Sequence, residues 1–264
     1  MLSLAQSNVK YILISDPDWE APVTKPKELD KRIRFSLAIK KVLEEDDSEL
    51  KKELLEFLCY EDDGILRELN NRKFTMRKGY ASEIDLSGNY YNVVDGVRFT
   101  SRSNNIDSSK KIFMFGPCTF LGSVAKDEDT IASHLQSMIE NQAGIINMGN
   151  LHEWKNFIIR LQEYNAGDSI ILMVRNPDLY RKVGYEVFSI MDAYNNVADL
   201  WKHIWDSRDH CNRLIYKNIA TLLHELIKKE NFLNEYSGTD NERKNVFLVK
   251  LVERKCLLIY YIKN

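Results

Sequence analysis

The 264-residue chain has no apolar run approaching about 18 residues, so no transmembrane helix is expected. Its four cysteines, Cys59, Cys118, Cys211 and Cys256, are far apart and none belongs to a C-x-x-C pair. That spacing suggests neither a zinc site nor a disulfide framework, and no bound metal or cofactor is expected. Neither sign of charge dominates: 37 Lys and Arg stand against 39 Asp and Glu, for a formal net charge of −2. This balance argues against a nucleic-acid partner or an anionic membrane surface. The segment Met1–Gln6 has neither a basic region nor a long apolar core, so no secretory signal is expected and a cytoplasmic location is the default. Internal repeats and low-complexity stretches are missing too.

What is there is the composition of a folded domain, 44% apolar and 29% charged. Residues 1–105 read as an N-terminal α/β extension. Val9–Ile14 is an expected strand. Leu29, Ile33 and Leu37 share one helical face, and Leu54, Phe57 and Leu58 share another. Tyr90–Thr100 carries a hairpin signal, with Asp95-Gly96 at the turn. Arg98 in that hairpin reads as half of a surface ion pair, with a contact to a substrate carboxylate or phosphate as the alternative. Residues 106–264 alternate strand and helix. Strands are expected at Ile112–Phe115, Gly144–Met148 and Ser169–Val174. Helices are expected after Thr130, around Trp154–Leu161, from Pro177 to about Ile190 and from about Cys211. This order implies an α/β fold with a parallel sheet. Asn245–Leu251 and Cys256–Tyr261 read as a C-terminal β-hairpin covering a sheet edge.

The segment Phe115-Gly116-Pro117-Cys118-Thr119-Phe120 presents a thiol at the carboxyl end of an expected strand. Open α/β sheets place their chemistry there. Acyl transfer needs a nucleophile, a base, an acid that orients the base, and oxyanion donors. Cys118 fits the first role and His210 the second. Asp206 or Asp209 fits the third. The Cys118 and Gly149 amides and the Asn176 side chain fit the last. Each has a bland alternative. Cys118 reads equally as a buried thiol and His210 as a residue packed beside Trp205. Gly149 reads also as a plain turn residue, and Asn176 before Pro177 as a helix cap.

In these blocks the sequence resembles the SGNH/GDSL hydrolase superfamily, over roughly residues 111–229. Gly116-Pro117-Cys118 stands in the place of its Gly-Asp-Ser block, Asn147-x-Gly149 in its glycine block, and Asn176 in its asparagine block. Asp206 with His210 stands in its final block. The chain departs from the pattern in having cysteine at the serine position, Pro117 for Asp, Val174 for a Gly, and acids four and one residues before the His. The resemblance implies an SGNH-like three-layer sandwich. It also implies acyl transfer through a Cys118 thioester, onto a small-molecule or carbohydrate acceptor in natural-product or polysaccharide modification. An acyl-CoA or carrier-protein thioester is the candidate donor, with an acyl-carrier protein as the corresponding partner. A plain esterase or thioesterase and a catalytically inactive binding domain are the alternatives.

Overall fold

The computed structural model describes residues 10–16, 29, 31–77, 80–101, 110–149, 168–174, 176–182, 184, 186–195, 197–205 and 210–233. It is a mixed α/β fold around a six-stranded, mostly parallel sheet, with eight α-helices among the described residues.

The strands of the sheet are β1 (Lys10–Ser15), β4 (Val93–Val94), β5 (Val97–Arg98), β6 (Lys111–Phe115), β7 (Gly144–Asn147) and β8 (Ser169–Val174). They lie in the order β1-β8-β6-β7-β5-β4. β6 is central, paired in parallel with β8 on one side and β7 on the other. β1 adds to β8 in parallel, and β5 and β4 close the far edge antiparallel. Strands from both sides of residue 105 therefore share one sheet. A separate antiparallel pair, β2 (Phe74–Arg77) and β3 (Tyr80–Glu83), stands beside it.

Side chains of a strand alternate between faces, and both faces of this sheet are apolar. Ile12, Ile14, Ile112, Met114, Ile145, Ile171 and Met173 enter one core cluster. Leu13, Phe113, Phe115, Ile170, Leu172 and Val174 enter a second. The first is covered by α1 (Phe35–Glu45), α2 (Ser48–Leu58), α3 (Gly64–Asn70), α5 (Ile131–Ile139), α7 (Met191–Asn195) and α8 (Arg213–Lys229). The second meets Tyr180 of α6 (Pro177–Lys182). The remaining helix, α4 (Cys118–Leu121), is one turn long and follows β6.

Local chemistry explains the boundaries. Asp47, Thr130 and Asn212 cap α2, α5 and α8, each accepting an amide hydrogen from the first turn at 3.0–3.1 Å. Asp95 and Gly96 both have positive φ, 51° and 74°, as a type I′ turn requires.

Two sequence expectations are corrected. α1 begins at Phe35 and buries Phe35, Ala38, Ile39 and Val42, whereas Ile33 and Leu37 are exposed. Ile33 precedes the helix, so the 29-33-37 spacing does not describe a helical face. The helix expected from Pro177 to about Ile190 is helical only in α6, to Lys182, and α7 begins after that stretch, at Met191. Gly184, at φ 93°, follows the end of α6, and Phe188 bridges to Ile14 of β1. The expected helix at residues 154–161 and the C-terminal hairpin lie outside the described residues.

Candidate functional site

β6 is buried from Ile112 to Phe115 and delivers the chain to its carboxyl end at the centre of the sheet. Gly116 turns there because Met173 of β8 leaves no room: an added Cβ would sit 2.9 Å from the Met173 Cβ. Pro117 precedes the first residue of α4, Cys118. The Cys118 side chain is half-buried and opens into a small cleft with about 20 Å³ of space for water-sized groups. Arg72, Phe74, Glu83, Gly96, Leu121 and Gly149 form the rest of its wall.

The wall is charged on one side. The Arg72 guanidinium donates through Nε to Glu83 and through Nη1 to the Ser123 carbonyl at 2.5 Å. The Glu83 carboxylate also accepts the Tyr91 hydroxyl at 2.9 and 3.0 Å. Arg98 lies over the Tyr91 ring, 3.2 Å from its centroid. Its Nη2 donates to the Ala125 carbonyl at 2.8 Å and stands 3.0 Å from Asp127 Oδ1. Arg98 is thus fully buried, which corrects the expected surface pair; Tyr91, Asp127 and the backbone enclose it. Burial pushes the Arg98 guanidinium down and the Asp127 carboxyl up, and their pairing opposes both shifts. Burial also pushes the Tyr91 phenol up, against the pull of Arg72 and Arg98.

The other side of the cleft rests on Asn147, which is buried at the end of β7. Its Nδ2 donates to the Phe120 carbonyl at 3.1 Å, and its Oδ1 accepts the Gly149 amide at 3.0 Å. This clamps α4 against the chain leaving β7. Only glycine fits at 149, where a Cβ would lie 2.5 Å from the Leu121 amide nitrogen. The Gly149 amide expected to bind an oxyanion is therefore already given to Asn147. Tyr216 in the first turn of α8 is fully buried. Burial first, and then the Cys211 and Cys118 thiols, raise its phenol well above the ordinary value.

The other residues singled out in the sequence stand elsewhere. His210 does not line the cleft. Its ring stacks on Phe35 with centroids 5.7 Å apart, and its carbonyl accepts the Trp205 amide at 2.9 Å. Asn176 follows β8 at the same sheet edge as Cys118, but it is exposed, with φ 56°, and does not line the cleft. Its carbonyl accepts the Leu179 amide at the start of α6. Asp206 and Asp209 lie outside the described residues. Of the expected set, the structure brings Cys118 and Gly149 together. The residues that sequence reasoning missed are Arg72, Glu83, Phe74 and Leu121. Arg72 and Glu83 carry no local signal, because only tertiary packing brings them to Cys118.

Among the described residues no group of three or more His, Cys, Asp or Glu side chains could hold a metal ion. No described helix is long and apolar enough to cross a membrane. No protein-family model matches the chain, and neither a curated protein nor a solved structure matches it.

Proposed function

We propose that this protein transfers acyl groups through a thioester on Cys118, within an SGNH-like α/β architecture. The observation that carries the reading is the half-buried thiol at the carboxyl end of the central strand, opening into a cleft that also holds a guanidinium. A thiol is a strong nucleophile once ionised, and a neighbouring cation favours that form. Phe74 and Leu121 supply an apolar wall for the acyl group, and Arg72 and Glu83 a polar one. On this reading the donor is an activated acyl group such as an acyl-CoA or carrier-protein thioester. The acceptor is a small molecule or carbohydrate bearing an amine, hydroxyl or thiol, and the setting is the cytoplasm.

A second reading, a binding domain without catalysis, is favoured by the Gly149 amide being engaged and by His210 packing on Phe35. Intact mass after exposure to a panel of acyl thioesters separates the two. An adduct of acyl mass on the wild type, missing from Cys118→Ala, supports transfer. No adduct with any donor supports the binding domain. Discharge of the adduct only to an added acceptor marks a transferase, and rapid discharge to water a thioesterase.

A further inference from the structure

We infer that Arg72 is a catalytic cation of the Cys118 site, holding the thiolate and donating through Nη2 to the oxyanion of the tetrahedral intermediate. The inference rests on the Cys118 acyl-transfer reading and names a group that neither the motif blocks nor the resemblance supplies.

Three observations support it. Arg72 is fixed in place: Nε binds Glu83, and Nη1 binds the carbonyl of Ser123. Ser123 lies in the turn that ends α4, so the guanidinium is fastened to the segment that carries Cys118. Next, Arg72 retains a donor. Among the described residues Nη2 has no hydrogen-bond partner, and the side chain keeps 14% exposure where it lines the cleft. Finally, two of the three donors expected from the sequence are occupied or distant, which leaves the Cys118 amide as the one backbone donor that Arg72 would join. The Gly149 amide is given to Asn147, and Asn176 does not line the cleft. The charge itself is secure. Burial works against the guanidinium, but Tyr91, Glu83 and Cys118 outweigh it and hold Arg72 above its ordinary value.

In the step itself, the thiolate lone pair forms the C–S bond while the carbonyl π pair moves onto oxygen, where the Nη2 hydrogen is donated. Collapse returns that pair and breaks the bond to the donor's leaving group, which departs as thiolate or alkoxide and takes a proton from water. The acceptor adds to the Cys118 thioester in the same way and loses its proton to solvent. Cys118 then leaves as the thiolate, again beside Arg72. Fixed donors aimed at developing charge are worth far more in a desolvated cleft than in water.

The test reads alkylation of the Cys118 peptide by anionic iodoacetate against neutral iodoacetamide, with the exposed Cys59 peptide as internal reference. A cation beside the thiol draws the anionic reagent, so the wild type is expected to favour iodoacetate at Cys118 relative to Cys59. Arg72→Gln is expected to lose that preference and to slow S-acylation by an acyl thioester about 100-fold. Arg72→Lys is expected to restore the preference but only part of the acylation rate, because an ammonium lacks the planar fork. A wild type without the preference overturns the inference, even if Arg72→Gln fails to fold. So does an Arg72→Gln protein that acylates at the wild-type rate. If the wild type accepts no acyl group while the preference is present, the transfer reading fails and only the thiolate-holding half of the inference stands.

Discussion

The surroundings of Cys118 and those of His210 are built from opposite materials. The cleft of the thiol holds Arg72 and Glu83, and behind Glu83 a chain of contacts runs through Tyr91 and Arg98 to Asp127. Around the imidazole stands an aromatic cluster. Phe35 stacks on His210, and Phe35, Phe57 and Trp205 meet one another with centroids 5.3–6.2 Å apart. The Trp205 indole donates to the Ile33 carbonyl at 2.9 Å and ties this cluster to the entry of α1. The imidazole has an aromatic ring as its stacking partner, whereas the thiol shares its cleft with a guanidinium and a carboxylate. On the proposed reading, reactivity belongs with the cleft walled by Arg72 and Glu83, and the approach to α8 serves structure.

The contrast can be broken most severely at Arg98. Arg98→Ala leaves Asp127 buried without its cation, and unfolding by urea is expected to show a loss of about 3–5 kcal/mol. A loss near zero would mean that the charged wall is not held by this pair. Gly149→Ala comes next. Its new Cβ meets the α4 backbone, so thermal unfolding is expected to reveal a loss of about 1–3 kcal/mol, together with altered Cys118 alkylation. His210→Ala compares the two walls directly. It is expected to remove about 1 kcal/mol of ring stacking and to slow Cys118 acylation far less than Arg72→Gln does. An equal or greater slowing would return the imidazole to the thiol.

The smallest effect is one of pH. His134 lies on α5, 3.9 Å from Asp129, and burial holds it below its ordinary value of 6.5 despite that carboxylate. Burial lowers His224 in the same direction. A depressed histidine takes up its proton in the unfolded chain first. Stability should therefore be fully present above about pH 6.5 and decline as pH falls through the folded-state values. Denaturation midpoints followed downward from neutrality should flatten in His134→Gln and further in His134→Gln/His224→Gln. An unchanged slope would mean that other groups set the acid limit.

The sheet was legible because its strands are short apolar runs bounded by turn residues. The Asp95-Gly96 hairpin was legible because two consecutive left-handed residues demand that chemistry. The helix expected after Thr130 has that residue as its cap, because a threonine hydroxyl accepts an amide hydrogen of the first turn. Leu37 was misplaced because periodicity does not fix where a helix begins, and α1 starts at Phe35. Arg98 was misread as a surface residue because the covering groups come from a distant turn, Ala125 and Asp127, and from Tyr91. The Cys118 position was legible from the strand that precedes it. Arg72 was not, since it reaches the thiol only once the hairpins pack beside β6 and β7, and no spacing in a linear sequence encodes that approach.

The pairing of β1 with β8 joins Lys10–Ser15 to Ser169–Val174. On the ribosome, Ile12 and Ile14 are made long before the strand that will cover their backbone. At ordinary synthesis speeds that partner arrives on the order of ten seconds later. Throughout that interval this apolar segment lacks the neighbour that it pairs with in the folded sheet. The sheet is completed only when the third of the later parallel strands emerges.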